Sequence, residues 1–498
     1  MNKNGKEDIL VKVKYRFQWY QEIYNNLPKI LDEAEKAAKE LGVDKLKNKI
    51  GLYAGSSACP GSLQKYVLEA INEANNIPVL PLRKVEDELR EIIKDIYGDE
   101  YDSAVANTCE AALRVCFETL FAPPTMRKED AYRARFIAPY EEDFEYMAAY
   151  GRPFPPKYKN IFIDRSCTAG ELGVEGKSLP NLDSLFVRLV GTKYEVHGIK
   201  FNPVPLMTKT DAEKSIEKIA EVAARHAQTL VGFTSIGYDT PGYGYGQKDE
   251  RGIPKLKKFI GQLAAKYDVP YVVDCASCLP VVGLSPQDIG ADVMVWSMDK
   301  AAHAPISGLI VGREEIMVPI RKSLGLGGQR YGETSSHSKA IFSLCDPGRD
   351  AVVGLTAVLK TLRDHPERIK GPIDRYHEIV VEEFSAFQPS RFRDKLLITK
   401  SYTMGGTELN YEQTWDGDEF GIPIFGSEDL FLEAHPIAAA LERMGIFPAL
   451  IYSGNIFLGP GLGTLDEDGE LNEKYARLAV KALVRAVEIV CKYAGLGD

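Results

Sequence analysis

The chain has 498 residues, 45% of them hydrophobic and 27% charged, which is the composition of a globular protein with two or three domains. Its formal net charge is −10 and it contains no long run of lysine and arginine, so nucleic acid is disfavoured as the main partner. The first residues lack the apolar stretch of a secretory signal, and no segment approaches the roughly 18 apolar residues that span a membrane, so we expect a cytoplasmic protein.

The eight cysteines are scattered without the spacing of a disulfide framework, which agrees with a reducing compartment. Cys275 and Cys278 form a C-x-x-C pair, but no second pair of Cys or His accompanies it. We therefore expect no bound metal there.

Helical patterns precede the first strand. A mostly helical segment covers 15–42 and ends at a glycine, and residues 1–50 are predicted to form an N-terminal helical extension. A glycine- and serine-rich turn follows at 51–62, and helices are predicted at about 63–75 and 84–97.

Short apolar strands alternate with amphipathic helices between about 103 and 312. This alternation predicts an α/β fold, with a mainly parallel sheet and helices on both faces, in a large domain at 51–345. The predicted strands are 103–106, 134–138, 160–164, 229–235, 271–274, 293–297 and 308–312, and the predicted helices are about 109–120, 211–227, 253–267 and 313–324.

A smaller C-terminal α+β domain is predicted at 346–498. A helix at about 350–364 connects the two domains, and the strand K-L-L-I-T-K follows it. Two further helices are predicted at about 429–444 and 472–494.

Polar residues stand at the ends of several predicted strands, namely Asp164, Ser235, Asp274 and Ser297. In sheets of this kind, ligands bind at the carboxyl ends of the strands. We therefore expect these side chains to lie close together.

Asp274 and Lys300 are the residues that indicate a cofactor. In Y-V-V-D-C-A-S the carboxylate of Asp274 ends a buried strand and needs a cationic partner or hydrogen-bond donors, for example a protonated pyridine nitrogen, unless it only caps a helix. Lys300 ends the next strand in W-S-M-D-K-A-A-H-A-P, where a partly desolvated amine can form a Schiff base with an aldehyde cofactor. A surface lysine in a loop is the plain alternative.

Two further segments complete the pattern. N-T-C-E-A-A at 107–112 links a strand to a helix, and its N–H groups with Thr108 form either a plain helix cap or a phosphate cradle. G-L-G-G-Q-R-Y-G-E-T-S-S-H-S at 325–338 is a polar, glycine-rich loop. In this order and on this fold, the four elements predict that Lys300 holds pyridoxal 5'-phosphate.

The same segments resemble those of a known group of enzymes. A-D-V-M-V-W-S-M-D-K-A-A-H-A-P-I-S-G-L-I-V-G-R is similar to the lysine segment of bacterial selenocysteine synthase and its relatives, and D-C-A-S to a motif of class V aminotransferases and cysteine desulfurases. N-T-C-E-A resembles their phosphate loop, and G-G-Q-R-Y-G-E-T-S-S resembles the desulfurase loop that reaches the phosphate of a second subunit. The resemblance covers roughly 100–340 and implies the fold-type I (aspartate aminotransferase-like) architecture of pyridoxal phosphate enzymes.

The resemblance implies roles for the matching residues. Lys300 would form the Schiff base with the cofactor and later move a proton at Cα, and Asp274 would keep the pyridine nitrogen protonated. Thr108, Cys109 and Ser297 would contact the phosphate.

Other positions are implied by the same comparison. Ser235 lies where relatives place a polar contact to the cofactor ring oxygen, and Arg165 or Ser166 stands where desulfurases have a histidine that stacks on the ring. Thr334 or Ser335 would reach the phosphate from a second subunit, which implies a homodimer or a larger assembly.

Three features leave alternatives open. His303 is either an acid–base group near the substrate or a histidine hydrogen-bonded near the subunit interface. The tyrosine-rich tract 238–247 either shapes the substrate pocket or forms a surface loop. The segment 453–464 matches the region where relatives bind the substrate carboxylate with an arginine, but it contains none, which leaves Arg330 and Arg443 as substitutes.

The resemblance favours a lyase or transferase that acts on a small amino acid through an external aldimine, by elimination or replacement at Cβ or Cγ, including carbon–sulfur chemistry. Transamination is the alternative, because it uses the same lysine and aspartate. A non-catalytic pyridoxal phosphate-binding protein is the alternative of another class. A dinucleotide-dependent oxidoreductase lacks its G-x-G-x-x-G fingerprint, and a tRNA-dependent reaction is disfavoured by the acidic charge.

Overall fold

The computed structural model describes residues 19, 22–53, 59–121, 127–128, 131–132, 135–140, 200–205, 212–241, 244–326, 342–415, 420–423, 436–452 and 455–497. The predicted strand at 160–164 lies outside these residues. Among the described helices, none is both long and apolar enough to cross a membrane.

Seven described strands form the main sheet, in the order β1-β9-β8-β7-β6-β4-β5. The pairs among β8, β7, β6, β4 and β5 are parallel, whereas β9 runs antiparallel to both of its neighbours, β1 and β8. The sheet is therefore mainly parallel, as the sequence predicts. Its strands are β1 Tyr101–Ala106, β4 Arg135–Tyr140, β5 Lys200–Pro205, β6 Leu230–Ile236, β7 Tyr271–Cys275, β8 Val293–Ser297 and β9 Gly308–Arg313, and β2 Arg127–Lys128 and β3 Ala131–Tyr132 form a separate ribbon.

The central strands are buried on both faces, which explains their continuous apolar sequences. On β8, Val293 and Val295 belong to the core beneath one layer of helices, whereas Met294 and Trp296 belong to the core of the opposite face. The described helices are α1 Leu27–Leu41, α2 Lys65–Asn75, α3 Leu82–Tyr97, α4 Cys109–Leu120, α5 Ala212–Arg225, α6 Lys255–Tyr267, α7 Pro286–Ile289, α8 Glu314–Ser323, α9 Arg349–Asp364, α10 Glu367–Phe384, α11 Pro436–Met444 and α12 Glu473–Tyr493.

Strand β5 and helix α10 are two of the elements that the sequence analysis did not predict, and proline explains both. Strand β5 contains Pro203 and Pro205, which lack the N–H donor of a central strand, and it is the last strand in the described part of the sheet, a position where this is tolerated. Helix α10 contains Gly371 and Pro372, a pair that is typical of a turn. The apolar residues that α10 buries, such as Tyr376 and Val380, hold it in the helical form.

The C-terminal part contains a four-stranded antiparallel sheet in the order β10-β11-β13-β12. Helices α10 and α12 share a core with the N-terminal helix α1, which packs on both α11 and α12. The first and last described helices thus share one hydrophobic cluster, while the domain boundaries at 50 and 345 stay a prediction. The strands are β10 Leu397–Ser401, β11 Gly406–Asn410, β12 Leu450–Tyr452 and β13 Asn455–Leu458.

Candidate functional site

Asp274 and Ser297 lie on one face of the sheet, at the carboxyl ends of β7 and β8. Asp274 pairs with Val295 in register, and Ser297 is two residues beyond Val295, so both side chains project toward the helix α4 side. Asp274 is 3% exposed, and its Oδ1 accepts a hydrogen bond from the backbone N–H of Ala276 at 3.0 Å. The sequence prediction that these two strand ends are neighbours is confirmed.

Helix α4 begins directly over these strand ends because residue 308 is glycine. Gly308 pairs with Ser297 in the sheet, and a methyl group built on it would lie 2.8 Å from the Cβ of Ala112 and 2.7 Å from the carbonyl carbon of Thr108. An alanine at this position would push the helix away from the sheet. The N-terminus of α4 is therefore held beside Ser297.

Thr108 caps this helix. Its Oγ1 accepts a hydrogen bond from the N–H of Ala111 at 3.0 Å, which leaves the hydroxyl hydrogen available to an acceptor. Cys109, the first helical residue, is 5% exposed. Because the first N–H groups of a helix point outward and carry partial positive charge, the start of α4 can serve both as a cap and as an anion site.

Asp299 is a residue that the sequence analysis missed. The hydroxyl of Ser297 donates to its Oδ1 at 2.6 Å, the side chain is 1% exposed, and its Oδ2 has no hydrogen-bond partner among the described residues. A buried acceptor without a partner costs about 1–3 kcal/mol, so this oxygen is suited to a donor from a ligand. The signal is the acid directly before the lysine in S-M-D-K.

Lys300 lies in the turn after β8 and is partly exposed. Its carbonyl oxygen accepts a hydrogen bond from the N–H of His303 at 3.1 Å, which closes the turn. The hairpin turn between β10 and β11 contacts this turn, since a methyl group built on Gly405 would lie 2.9 Å from the Cβ of Ala301. The C-terminal sheet thus reaches the residue next to Lys300.

His303 is buried and has a left-handed backbone, with φ of 53°. Its ring lies against Gly61 and is hydrogen-bonded to the backbone of Pro460. Burial lowers the pKa of His303 from 6.5 to about 4, and the bond to Pro460 opposes this shift only in part. The imidazole is therefore neutral at pH 7, and its contacts fit a group that holds the Lys300 turn in place.

Ser235 is not on the face that carries Asp274. It pairs with Val273, one residue before Asp274, and its Oγ lies 2.6 Å from the hydroxyl of Tyr271 on the opposite face. Because side chains alternate along a strand, the sheet separates Ser235 from Asp274. Ser235 therefore does not belong to the face that carries Asp274.

Lys257 explains the surroundings of Ser235. This lysine is fully buried, donates to the carbonyl oxygen of Ile236 and to Ser235 Oγ at 3.4 Å, and lies 3.9 Å from the centre of the Tyr245 ring. The sequence analysis missed its burial, because K-L-K-K reads as the solvated start of a helix. Lys257 is therefore a second lysine near the strand ends, and unlike the partly exposed Lys300 it is fully buried.

The loop after Asp274 is fixed by neighbouring segments. The hydroxyl of Tyr53 lies 3.3 Å from the carbonyl oxygen of Ser277 and 3.1 Å from that of Met404. The N–H of Leu279 donates to the carbonyl oxygen of Thr403 at 2.7 Å. The loop that follows Asp274 is therefore attached to the turn between β10 and β11.

The described residues of the tyrosine-rich tract 238–247 do not form a surface loop. Asp239 is 7% exposed, and its carboxylate accepts from Ser401 Oγ at 2.5 Å and from Lys248 Nζ at 2.8 Å. The ring of Tyr238 lies 5.9 Å from that of Phe457 in β13. This part of the tract fills the space between the two sheets.

Arg443 does not substitute for a carboxylate-binding arginine. It is 48% exposed and pairs with Glu35 of α1 at 2.6 Å, on the outer side of the C-terminal helices. Arg165, Ser166, Arg330, Thr334 and Ser335 lie outside the described residues, and their roles stay predictions. Among the residues that the structure describes, no three His, Cys, Asp or Glu side chains are arranged to hold a metal ion.

No protein-family model matches this sequence, and no curated protein matches it. The structure is similar to an omega transaminase from Pseudomonas jessenii in complex with PMP, with a TM-score of 0.52 and 13% identity over 89% of this chain and 88% of that chain. The chain has the fold-type I architecture. A thermostable engineered omega transaminase gives a TM-score of 0.50 at 13% identity, over 89% of both chains. At such identities the likeness establishes the fold, and it confirms the fold class predicted from the sequence.

A D-glucosaminate-6-phosphate ammonia-lyase is also similar, at 16% identity over 90% of this chain and 97% of that chain, with a TM-score of 0.45.

The buried His303 predicts a specific dependence of stability on pH. Since its pKa is about 4 in the folded state and 6.5 in the reference state, the unfolded chain binds a proton between these values that the folded chain excludes. The stabilising contribution is complete above pH 6.5 and is lost as the pH falls toward 4, on the order of 3 kcal/mol in the free energy of unfolding.

His303→Asn is the matched variant, because asparagine tolerates a left-handed backbone and does not titrate. Urea unfolding at pH 7 and pH 4.5 should show a smaller loss of stability for the variant than for the wild type. Equal losses in the two proteins would contradict the burial of a neutral His303.

Proposed function

We propose that this chain is a pyridoxal phosphate-dependent enzyme acting on small amino compounds. The observation that carries the proposal is that the buried Asp274, the turn with Lys300 and the start of α4 meet at one end of the sheet. These three features correspond to three chemical parts of the cofactor, namely a pyridine nitrogen, an aldehyde and a phosphate.

The residues fit this cofactor by their chemistry. The N-terminus of α4, with the hydroxyl of Thr108 and the backbone at Cys109, suits a dianionic phosphate. The Asp274 carboxylate suits a protonated ring nitrogen, because a buried carboxylate gains most from a cationic donor. Lys300 is the residue whose amine would hold the aldehyde carbon covalently.

When bound, pyridoxal phosphate supplies an electron sink for negative charge that develops at the substrate Cα. Asp274 then holds a proton at the ring nitrogen, and Lys300, once its amine is released, moves a proton at Cα. The neutral His303 keeps the Lys300 turn in place through Pro460. Asp299, one residue before Lys300, offers Oδ2 as an acceptor to a donor group of the ligand.

For the reaction we propose elimination or replacement at Cβ or Cγ of a small amino acid, which would make the enzyme a lyase or a transferase. The support is the resemblance of the lysine and aspartate segments described above. Transamination is the alternative, since Lys300 and Asp274 serve it equally. Release of a keto acid and ammonia without an amino acceptor supports elimination, whereas conversion of the cofactor to its pyridoxamine form supports transamination.

A second subunit is proposed to cover the site. Leu344 is 92% exposed although its carbonyl oxygen is hydrogen-bonded to Asn107 at the start of α4, and Ile306 in the Lys300 turn is 50% exposed. Large apolar side chains next to a site favour a covering partner. The polar loop with Thr334 and Ser335 would come from that subunit.

The covalent role of Lys300 is tested by absorption spectra of the protein incubated with pyridoxal phosphate. The wild type should give a visible band that borohydride removes, and Lys300→Ala should lack it, because no amine remains to hold the aldehyde. Lys257→Met is the matched control, since it removes the fully buried lysine beside Ser235 and should keep the band. A band that persists in Lys300→Ala and disappears in Lys257→Met would overturn the assignment, and no band in any protein would overturn the proposed cofactor.

The position of α4 is tested by two glycine variants on the same face of β9. Gly308→Ala should weaken pyridoxal phosphate binding by roughly tenfold or more, because the added methyl group displaces the start of α4. Gly312→Ala is the control, since its methyl group would also overlap a neighbour, 2.6 Å from the carbonyl oxygen of Asp292, but far from α4's first turn. Both variants should lose stability, and equal cofactor dissociation constants for the two would contradict the phosphate site.

A further inference from the structure

A buried carboxylate and a helix start lie next to each other at the end of β8. Asp299 accepts from the hydroxyl of Ser297 at 2.6 Å, and Ser297 pairs with Gly308 across the sheet. A methyl group built on Gly308 would lie 2.7 Å from the carbonyl carbon of Thr108. Because paired residues project from the same face of a sheet with their Cβ positions about 5 Å apart, Ser297 and the carboxylate bonded to it border the first turn of α4.

Ser297 and Asp299 both face a ligand as hydrogen-bond acceptors. The hydroxyl of Ser297 has one hydrogen and donates it to Asp299 Oδ1, so only its oxygen lone pairs are left for a ligand. Asp299 Oδ2 is buried and has no hydrogen-bond partner among the described residues. A buried acceptor without a partner is unfavourable, and a ligand that brings a hydrogen to Oδ2 removes this cost.

The charges at this place restrict the ligand that can bring this hydrogen. The partial positive charge at the start of α4 disfavours a cationic donor such as an ammonium group. The carboxylate of Asp299 disfavours a fully ionised oxyanion, because like charges repel strongly where water is excluded. An oxyanion that carries one acidic hydrogen satisfies both conditions, since its charged oxygens accept from α4 and its O–H group donates to Asp299 Oδ2.

The neighbouring charges do not remove the need for this hydrogen. In the described segments that meet here, Asp274 at the end of β7, Glu110 in the first turn of α4 and Asp346 next to the segment bonded to that helix are acidic. Lys300 is basic and follows Asp299 directly, but its amine is the group proposed to bind the aldehyde. The surroundings therefore favour the less charged form of a bound oxyanion.

We infer that Asp299 and Ser297, with the start of α4, form an oxyanion subsite that takes a phosphate group together with one proton from solvent and rejects sulfate. The start of α4 by itself suits a dianion, and Asp299 changes this preference. A phosphate monoester loses its second proton at about pH 6, so it can carry this hydrogen near neutral pH, whereas sulfate stays fully ionised. The inference rests on the proposed function and specifies the protonation state in which the cofactor phosphate is held.

Competition by inorganic phosphate and by sulfate tests the selectivity. The two ions have nearly the same size and shape, and at pH 7 only phosphate carries a hydrogen. Measured as inhibition of the borohydride-sensitive band that pyridoxal phosphate gives, phosphate should compete at least about tenfold more strongly than sulfate. Equal competition by the two ions, or competition by neither, would overturn the inference, and this comparison needs only the wild type.

A pair of variants locates the selectivity. Asp299→Asn replaces the acceptor Oδ2 by a donor of the same size, so the ratio of sulfate to phosphate inhibition constants should fall below about threefold. Asp292→Asn is the matched control at the other end of β8: Asp292 accepts from the N–H of Tyr271 at 2.8 Å, and an asparagine can keep this bond. An unchanged ratio in Asp299→Asn, or an equal fall in Asp292→Asn, would overturn the inference.

The number of protons bound with the ligand gives a second readout, which a purely structural role of Asp299 would not change. Calorimetry in two buffers of different ionisation enthalpy measures it, with pyridoxamine 5'-phosphate as the ligand because this compound forms no Schiff base with Lys300. At pH 7.5 the wild type should take up about one proton more per bound ligand than Asp299→Asn. Equal proton uptake by the two proteins would contradict the inference.

The same samples separate this inference from the proposed function. If the wild type shows the borohydride-sensitive band but phosphate and sulfate compete equally, the subsite is wrong and the cofactor assignment holds. If the band is missing from the wild type, the proposed function fails, and the subsite that rests on it fails with it.

Discussion

The burial of the Asp274 carboxylate at the end of β7 is the constraint around which this end of the molecule is arranged. A carboxylate taken out of water needs donors or a cation, and the N–H of Ala276 supplies one hydrogen bond. The loop that begins there is attached to Tyr53 and to the turn between β10 and β11. The backbone that follows Asp274 is therefore attached to two other segments of the chain.

Two close backbone approaches set the rest of the geometry. Gly308 lets the start of α4 lie against the sheet beside Ser297, and Gly405 lets the C-terminal hairpin turn contact Ala301 next to Lys300. Both positions exclude a side chain for steric reasons, and both bring a separate part of the chain to the same strand ends. Backbone packing therefore brings the proposed anion site, Lys300 and the C-terminal sheet together. The side chains of the proposed site project from this backbone.

The sequence predicted what depends on local patterns. Apolar runs bounded by polar residues give the bounds of β8 and α4. They also place Asp274 and Ser297 at strand ends and Thr108 directly before α4. Asp299 and Lys257 could not be recognised in this way, because charged residues are usually solvated and only tertiary packing buries these two. The sequence analysis placed Ser235 at the correct end of its strand. Because side chains alternate between the two faces of a sheet, a difference of one residue in register changes the face. Ser235 pairs with Val273 and therefore lies on the face opposite Asp274.

The proposed chemistry requires that Lys300, and not another lysine, carries the cofactor. The most direct measurement is to incubate the wild-type protein with pyridoxal phosphate, reduce it with borohydride, digest it and locate the added mass by mass spectrometry. A single stoichiometric adduct is expected on the peptide that contains Lys300, with Lys257 unmodified. An adduct on Lys257, or scattered substoichiometric labelling that spares Lys300, would contradict it.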